Sequence, residues 1–166
     1  RDCLLSRGLG DVYKRQVETY LLLFFIYSIG GWLMEVIGKL IEKRKFVNRG
    51  FLIGPYCPIY GHGAILITIL LQKYIDDPIA LFIMGVVVCS ILEYLTSYFM
   101  EKIFHARWWD YSRYKFNING RICLRTMIPF GLLGLFIMYV SNPFFFSIIE
   151  KIPGNIPVSY THLTLP

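Results

Sequence analysis

The run from Ile79 to Met100 carries a single charged residue, Glu93, and is long enough to cross a bilayer as a helix, which takes about 20 residues. A run of this kind removes most folds from consideration. In hydrocarbon, every backbone N–H and C=O has to be bonded within its own helix or within a closed barrel. Three further apolar runs accompany it, at about 20–41, 57–71 and 122–140. Hydrophobic residues make up 55% of the chain and aromatics 17%, with a mean hydropathy of +0.52, all above the usual soluble domain. The expected fold class is therefore all-α: an integral membrane helical bundle with four transmembrane helices. The run at 57–71 is short for a span unless its Pro-rich approach also lies at membrane depth. Pro129 should kink the fourth span and Asn142-Pro143 should end it, leaving Phe144 to Ile152 as an interfacial segment.

Both ends are expected to lie outside the native protein. Asp11 to Gln16 and Val158 to His162 back-translate to a sequencing-adapter end and part of its reverse complement, so residues 1–16 and 158–166 read as adapter-derived. Residues 17–157 then form the transmembrane domain, shortened at its C-terminal side. The first flank holds four bases and two acids, so without it the formal charge falls from +6 to +4. Cys3 goes with it, leaving Cys57, Cys89 and Cys123. Three scattered cysteines in or beside apolar runs form neither a disulfide framework nor a paired metal site, and they read as small packing residues.

The remaining bases cluster. Lys43, Arg44, Lys45 and Arg49 separate the first two runs, and Lys102, Arg107, Arg113, Lys115 and Arg121 separate the third and fourth, against Lys73 alone in the middle loop. Positive loops stay on the cytoplasmic side, which places loops 42–56 and 101–121 in the cytoplasm and the N-terminus outside. The charge reads as membrane orientation and not as a nucleic-acid surface. An internal repeat is also visible. Phe46, Gly50, Leu52, Tyr60 and Gly61 match Phe116, Gly120, Ile122, Phe130 and Gly131 without a gap, and a span with an embedded glutamate precedes each copy. Two spans per unit would give parallel repeats about an axis along the membrane normal.

Polar residues inside the runs are the candidates for chemistry. Glu35 and Glu93 each fall in the cytoplasmic half of a span, where a carboxylate has to be neutral, paired or facing a wet cavity. Ser28, Gly31, Glu35 and Gly38 recur at helical spacing, as do Ser90, Glu93, Thr96 and Ser97, so both faces should turn away from lipid. These acids read either as a proton or substrate pathway or as bonds that only fix helix packing. Arg125, about one turn inside the fourth span, is their candidate partner, with snorkelling to the headgroups as the alternative. The loop Arg107, Trp108, Trp109, Asp110, Tyr111 and Ser112, with Asn119, Gly120 and Arg121, reads either as an interfacial aromatic belt closed by turn residues or as a cytoplasm-facing site for an anionic group. Pro55, Pro58 and Gly61 mark a helix break that either lines a cavity or allows close packing, and His62 follows it. No phosphate-binding loop, nucleophile elbow, zinc motif or CxxC pair occurs in 17–157, so no catalytic role, cofactor or metal is assigned.

The blocks Phe46–Leu52, Gly54–Gly61, Leu92–Ser97, His105–Ser112 and Phe116–Leu124 closely resemble the CmpB-like, type IV family of ABC transporter permeases, over nearly all of 17–157. That resemblance implies a multi-pass protein of the bacterial cytoplasmic membrane, the permease subunit of a transporter of unspecified substrate, working with a separate nucleotide-binding ATPase. The lipid bilayer is its surrounding partner, and a homo-oligomer stays open. Two other readings remain beside it. One is a membrane-embedded enzyme or lipid-handling protein using Glu35, Glu93 and the Trp-Trp-Asp-Tyr-Ser loop; the other is a non-catalytic scaffold.

Overall fold

The computed structural model describes residues 2–44, 54–149 and 151. Helix α1 runs Asp2–Lys43, with side chains described from Lys14 up to Ile41, and ends where Arg44 turns left-handed at φ 51°. Helix α2 runs Pro58–Leu70 and α3 runs Pro78–Phe104. A two-residue antiparallel ribbon follows, β1 Asn117–Ile118 with β2 Ile122–Cys123, pairing Asn117 with Cys123 and Ile118 with Ile122. Helix α4 runs Leu124–Phe136, passes through a π-helical segment Ile137–Ser141, and continues as α5, Asn142–Ile149. The all-α expectation holds apart from that ribbon.

Among the described residues three helical stretches are long and apolar enough to cross a membrane: Lys14–Ile41, Pro78–Phe104 and Leu124–Ile149. The second run forms only the 13-residue α2, which at about 1.5 Å per residue falls well short of a bilayer core. Its start is set by Pro58, whose missing N–H would have no partner in a first turn. Asp77 caps α3 by accepting from the N–H groups of Ile79 and Ala80, both at 3.0 Å, so the Asp76-Asp77 turn opens α3 one residue before the expected start. The loop bases Lys45 and Arg49, with the Phe46–Leu52 half of the repeat, lie outside the described residues.

The fourth span differs most from expectation. Asn142-Pro143 does not end it, and residues 144–149 are helix instead of a separate interfacial segment. Two causes act together. The N–H of Asn142 bonds five residues back to Ile137 O, and this wider π turn relieves the clash that a proline ring imposes on the preceding turn. The Asn142 side chain does not cap a helix. Its Oδ1 accepts from Tyr27 Oη at 2.7 Å, and its Nδ2 donates to Thr68 Oγ1 at 2.8 Å, tying the span to α1 and α2.

Close approach organises the bundle. A Cβ placed on Gly61 of α2 would collide with Ser28, Phe24 Cδ2 and the Phe24 carbonyl of α1; one placed on Gly131 of α4 would collide with Val86 and Phe82 of α3. Helices α1 and α2 thus form one tight pair, and α3 and α4 another. At one end, Ala64, Ile67 and Leu71 of α2 join Leu81, Ile137 and Met138 in a buried apolar cluster. Large apolar side chains elsewhere point outward: 22%, 22% and 28% of the three spanning windows is buried, as expected where hydrocarbon covers the rest. Because the Phe24 carbonyl cannot move without disturbing α1, Gly61→Ala should lower stability by about 1–3 kcal/mol. Nothing stands within 4 Å of a Cβ on Gly30, so Gly30→Ala should be neutral or stabilising by up to about 1 kcal/mol. Thermal unfolding of the two variants in one detergent compares them directly.

Candidate functional site: two carboxylates on one cavity

The small and polar face of α3 is buried as its spacing required: Ser90, Glu93 and Ser97 are 7%, 5% and 5% exposed. On α1 the corresponding face is buried at Ser28 and Gly31, half-buried at Glu35 and exposed at Gly38. Each carboxylate is held by a tyrosine. Tyr60 Oη donates to Glu35 Oε1 at 2.7 Å, and Tyr111 Oη donates to Glu93 Oε1 at 3.2 Å. The other oxygen of Glu93, Oε2, is buried without a hydrogen-bond partner. Both acids and both tyrosines line one cavity of about 1110 Å³ between α1, α2, α3 and the fourth span. Its wall is mostly apolar and includes Trp108, Trp109, Phe130 and Phe136.

Arg125 does not join the acids. It is exposed, and its guanidinium lies over the Tyr114 ring, 5.4 Å from the centroid. The arginine that turns inward is Arg121, whose Nη2 pairs with Glu101 Oε2 at 2.7 Å and whose Nη1 donates to Ser97 Oγ at 3.3 Å. Arg107 Nε shares the same Glu101 oxygen at 3.0 Å. Glu101 was absent from the sequence candidates, yet Glu93, Ser97 and Glu101 recur every four residues, which places them along one face of α3.

The loop 105–123 is a folded cap over the end of α3. Asn119 and Gly120 take left-handed φ values of 51° and 67° at the centre of a turn closed by Arg121 N donating to Ile118 O at 3.0 Å, inside the three-residue loop between Ile118 and Ile122, and Asn-Gly is its sequence signal. Gly120 also leaves no room: a Cβ there would meet Ser112 and Asp110. Tyr111 N donates to Gly120 O at 2.7 Å and Trp109 Nε1 to Arg121 O at 3.0 Å, so the turn fixes where the Tyr111 ring points. Asp110 accepts from Ser112 N and Ser112 Oγ, which holds its carboxyl below the usual range, with Arg107 and Arg113 adding to the effect. Asn117 Oδ1 accepts from Gly120 N, and Asn119 Nδ2 donates to Tyr94 Oη. These residues are occupied in closing the loop, and Arg107 and Arg121 are both committed to Glu101.

The helix break also packs. Cys57 N donates to Ser28 O at 2.9 Å, which pins the extended approach to α1, and Pro58 starts α2 with Gly61 against Ser28. Pro55 lies outside that contact and is exposed. Cys57, Pro58 and Tyr60 also line the cavity. His62 is exposed on the cavity wall, with Nδ1 2.8 Å from Pro58 O and its ring edge-on to Phe24. Among the described residues no group of three or more His, Cys, Asp or Glu is placed to hold a metal ion.

The sequence model of the family described as "Putative ABC-transporter type IV" matches residues 22–165. The chain belongs to that family. No curated protein and no solved structure matches it. In this type IV family chain the matched segment takes in every residue that lines the cavity.

Two outcomes test the loop's role. Gly120→Ala should lower the melting temperature more than Gly61→Ala, because backbone strain adds to the collision, and should red-shift tryptophan emission as Trp109 loses its carbonyl partner. Tyr111 is pushed above the ordinary tyrosine range by burial and then by the Glu93 carboxylate. Its hydroxyl therefore stabilises the fold fully below pH 10.0, the unperturbed value, and that contribution declines as pH rises past it. A detergent-solubilised Tyr111→Phe variant should show a shallower loss of stability above that pH than wild type.

Proposed function

We propose that this chain is the membrane subunit of an ABC-type transporter, in which Glu35 and Glu93 handle the charge of what passes. The observation that carries the reading is the cavity itself, where a carboxylate from each of two spans, each held by a tyrosine hydroxyl, lines one mostly apolar space. A carboxylate serving packing alone would be expected to use both oxygens; Glu93 leaves one without a partner. Family membership supports the transporter class, and family and cavity together favour it over a scaffold. The lipid-handling reading draws less support, because Arg107 and Arg121 already serve Glu101.

On this reading α2 completes a fourth, shorter span with its extended approach, and the chain is two parallel two-helix units. The paired collisions support that symmetry: Phe24, Ser28 and Glu35 of α1 correspond to Phe82, Val86 and Glu93 of α3 at one constant offset, while Gly61 corresponds to Gly131. The loop bases orient the cap 105–123 toward the cytoplasm, where it is the surface available to a separate ATPase subunit, with the N-terminus outside and the bacterial cytoplasmic membrane as the location.

The full chain isolated from its native membrane should bring a nucleotide-binding subunit with it in fixed stoichiometry. Glu93→Gln should insert normally, yet ATP hydrolysis by the reconstituted complex should fall at least tenfold. Isolation without an ATPase, or wild-type hydrolysis in that variant, contradicts the proposal.

A further inference from the structure

The ligand class of the cavity is argued from the charged and aromatic side chains on its wall. Among the described residues its charged side chains are Glu35, Glu93 and Lys39, and His62 also lies on its wall. Glu35 and Lys39 are four residues apart on α1, the spacing of an intrahelical ion pair, and Glu35 also accepts from Tyr60. Glu93 comes from a different helix, is 5% exposed, and has as its bonded neighbour the neutral Tyr111 hydroxyl. Its Oε2 is buried and unpartnered, and the residue lines the cavity. Among the described residues the wall carries two carboxylates against one ammonium.

The shape of the space narrows what that charge belongs to. A bare divalent ion needs several oxygen, nitrogen or sulfur ligands converging on one point, and among the described residues no such cluster exists. The volume, about 1110 Å³, exceeds that of a small inorganic ion many times over. Trp108, Trp109, Tyr111, Phe99 and Phe136 surround it, and aromatic faces attract organic cations electrostatically while burying their apolar bodies.

The geometry points to a hydrophobic ammonium or phosphonium-like monocation as the ligand class of this cavity, its charge beside the Glu93 side chain and its body against the aromatic wall. This rests on the transporter reading for the ligand's passage, but its binding is measurable alone. Tetraphenylphosphonium and tetraphenylborate share size and shape and differ in the sign of their charge. The full chain in nanodiscs, with protein-free nanodiscs as blank, should bind tetraphenylphosphonium saturably and tetraphenylborate at least tenfold more weakly. Glu93→Gln should weaken the cation at least tenfold while leaving binding of the neutral dye Nile red unchanged. In the wild-type chain, tetraphenylphosphonium should protect Glu93 from carbodiimide modification, a readout that needs no variant to fold.

Equal binding of the two ions, an unchanged cation affinity in a Glu93→Gln chain that still binds Nile red, or no protection of Glu93 in the wild type overturns the assignment. Cation binding by a chain that has no ATPase partner retires the transporter reading alone. An active ATPase complex that binds no tetraphenylphosphonium retires this one alone.

Discussion

A carboxylate inside an apolar bundle costs several kcal/mol unless the protein supplies bonds or water, and Glu93 imposes that cost on the arrangement around it. Its 5% exposure means that α2, the fourth span and the 105–123 cap all have to stand where hydrocarbon would otherwise reach. The cap contributes most directly, because Tyr111 provides the one hydroxyl that Oε1 accepts from. That hydroxyl is positioned from a distance. The left-handed Asn119-Gly120 turn receives the Tyr111 N–H, Arg121 anchors the turn to Glu101 and Ser97, and Trp109 bonds the Arg121 carbonyl. A loop that reads as an aromatic belt is thus also the lid of a polar pocket.

Helix packing follows the same economy at the opposite end of the cavity. Tyr27, Ser141, Asn142 and Thr68 form a chain of hydrogen bonds linking α1, the π-helical segment and α2. The π turn makes that chain available by turning Ser141 and Asn142 inward at the point where Pro143 would otherwise disturb a regular helix. Glycines do the rest: Gly61 and Gly131 let α2 and α4 approach α1 and α3 more closely than any side chain permits.

Much of this was legible in the residues. The span Pro78–Phe104, the buried Ser90–Glu93–Ser97 face and the Asp77 turn all follow from hydropathy and spacing, because a helix in lipid leaves little freedom over which face is polar. Partners were harder to read. Arg125 reads as the candidate partner of the acids, but rotation about the helix decides which arginine turns inward, and the ribbon before α4 gives that place to Arg121. The end of the fourth span was misplaced because Asn-Pro is a stop signal only when asparagine bonds its own backbone, and here it bonds across to α1 and α2. Asn119-Gly120 reads as turn residues from sequence, and its place between two isoleucines is the further signal for the hairpin that the structure holds.

The account turns on which environment the Glu93 face of α3 meets. Nitroxide labels at Thr96→Cys, on the cavity wall, and at Ile91→Cys, 55% exposed, compare the two surroundings in a cysteine-free full chain. Collision with a water-soluble nickel chelate should dominate at position 96 and collision with dissolved oxygen at position 91. Oxygen-dominated relaxation at both positions would place that face in lipid and contradict the account.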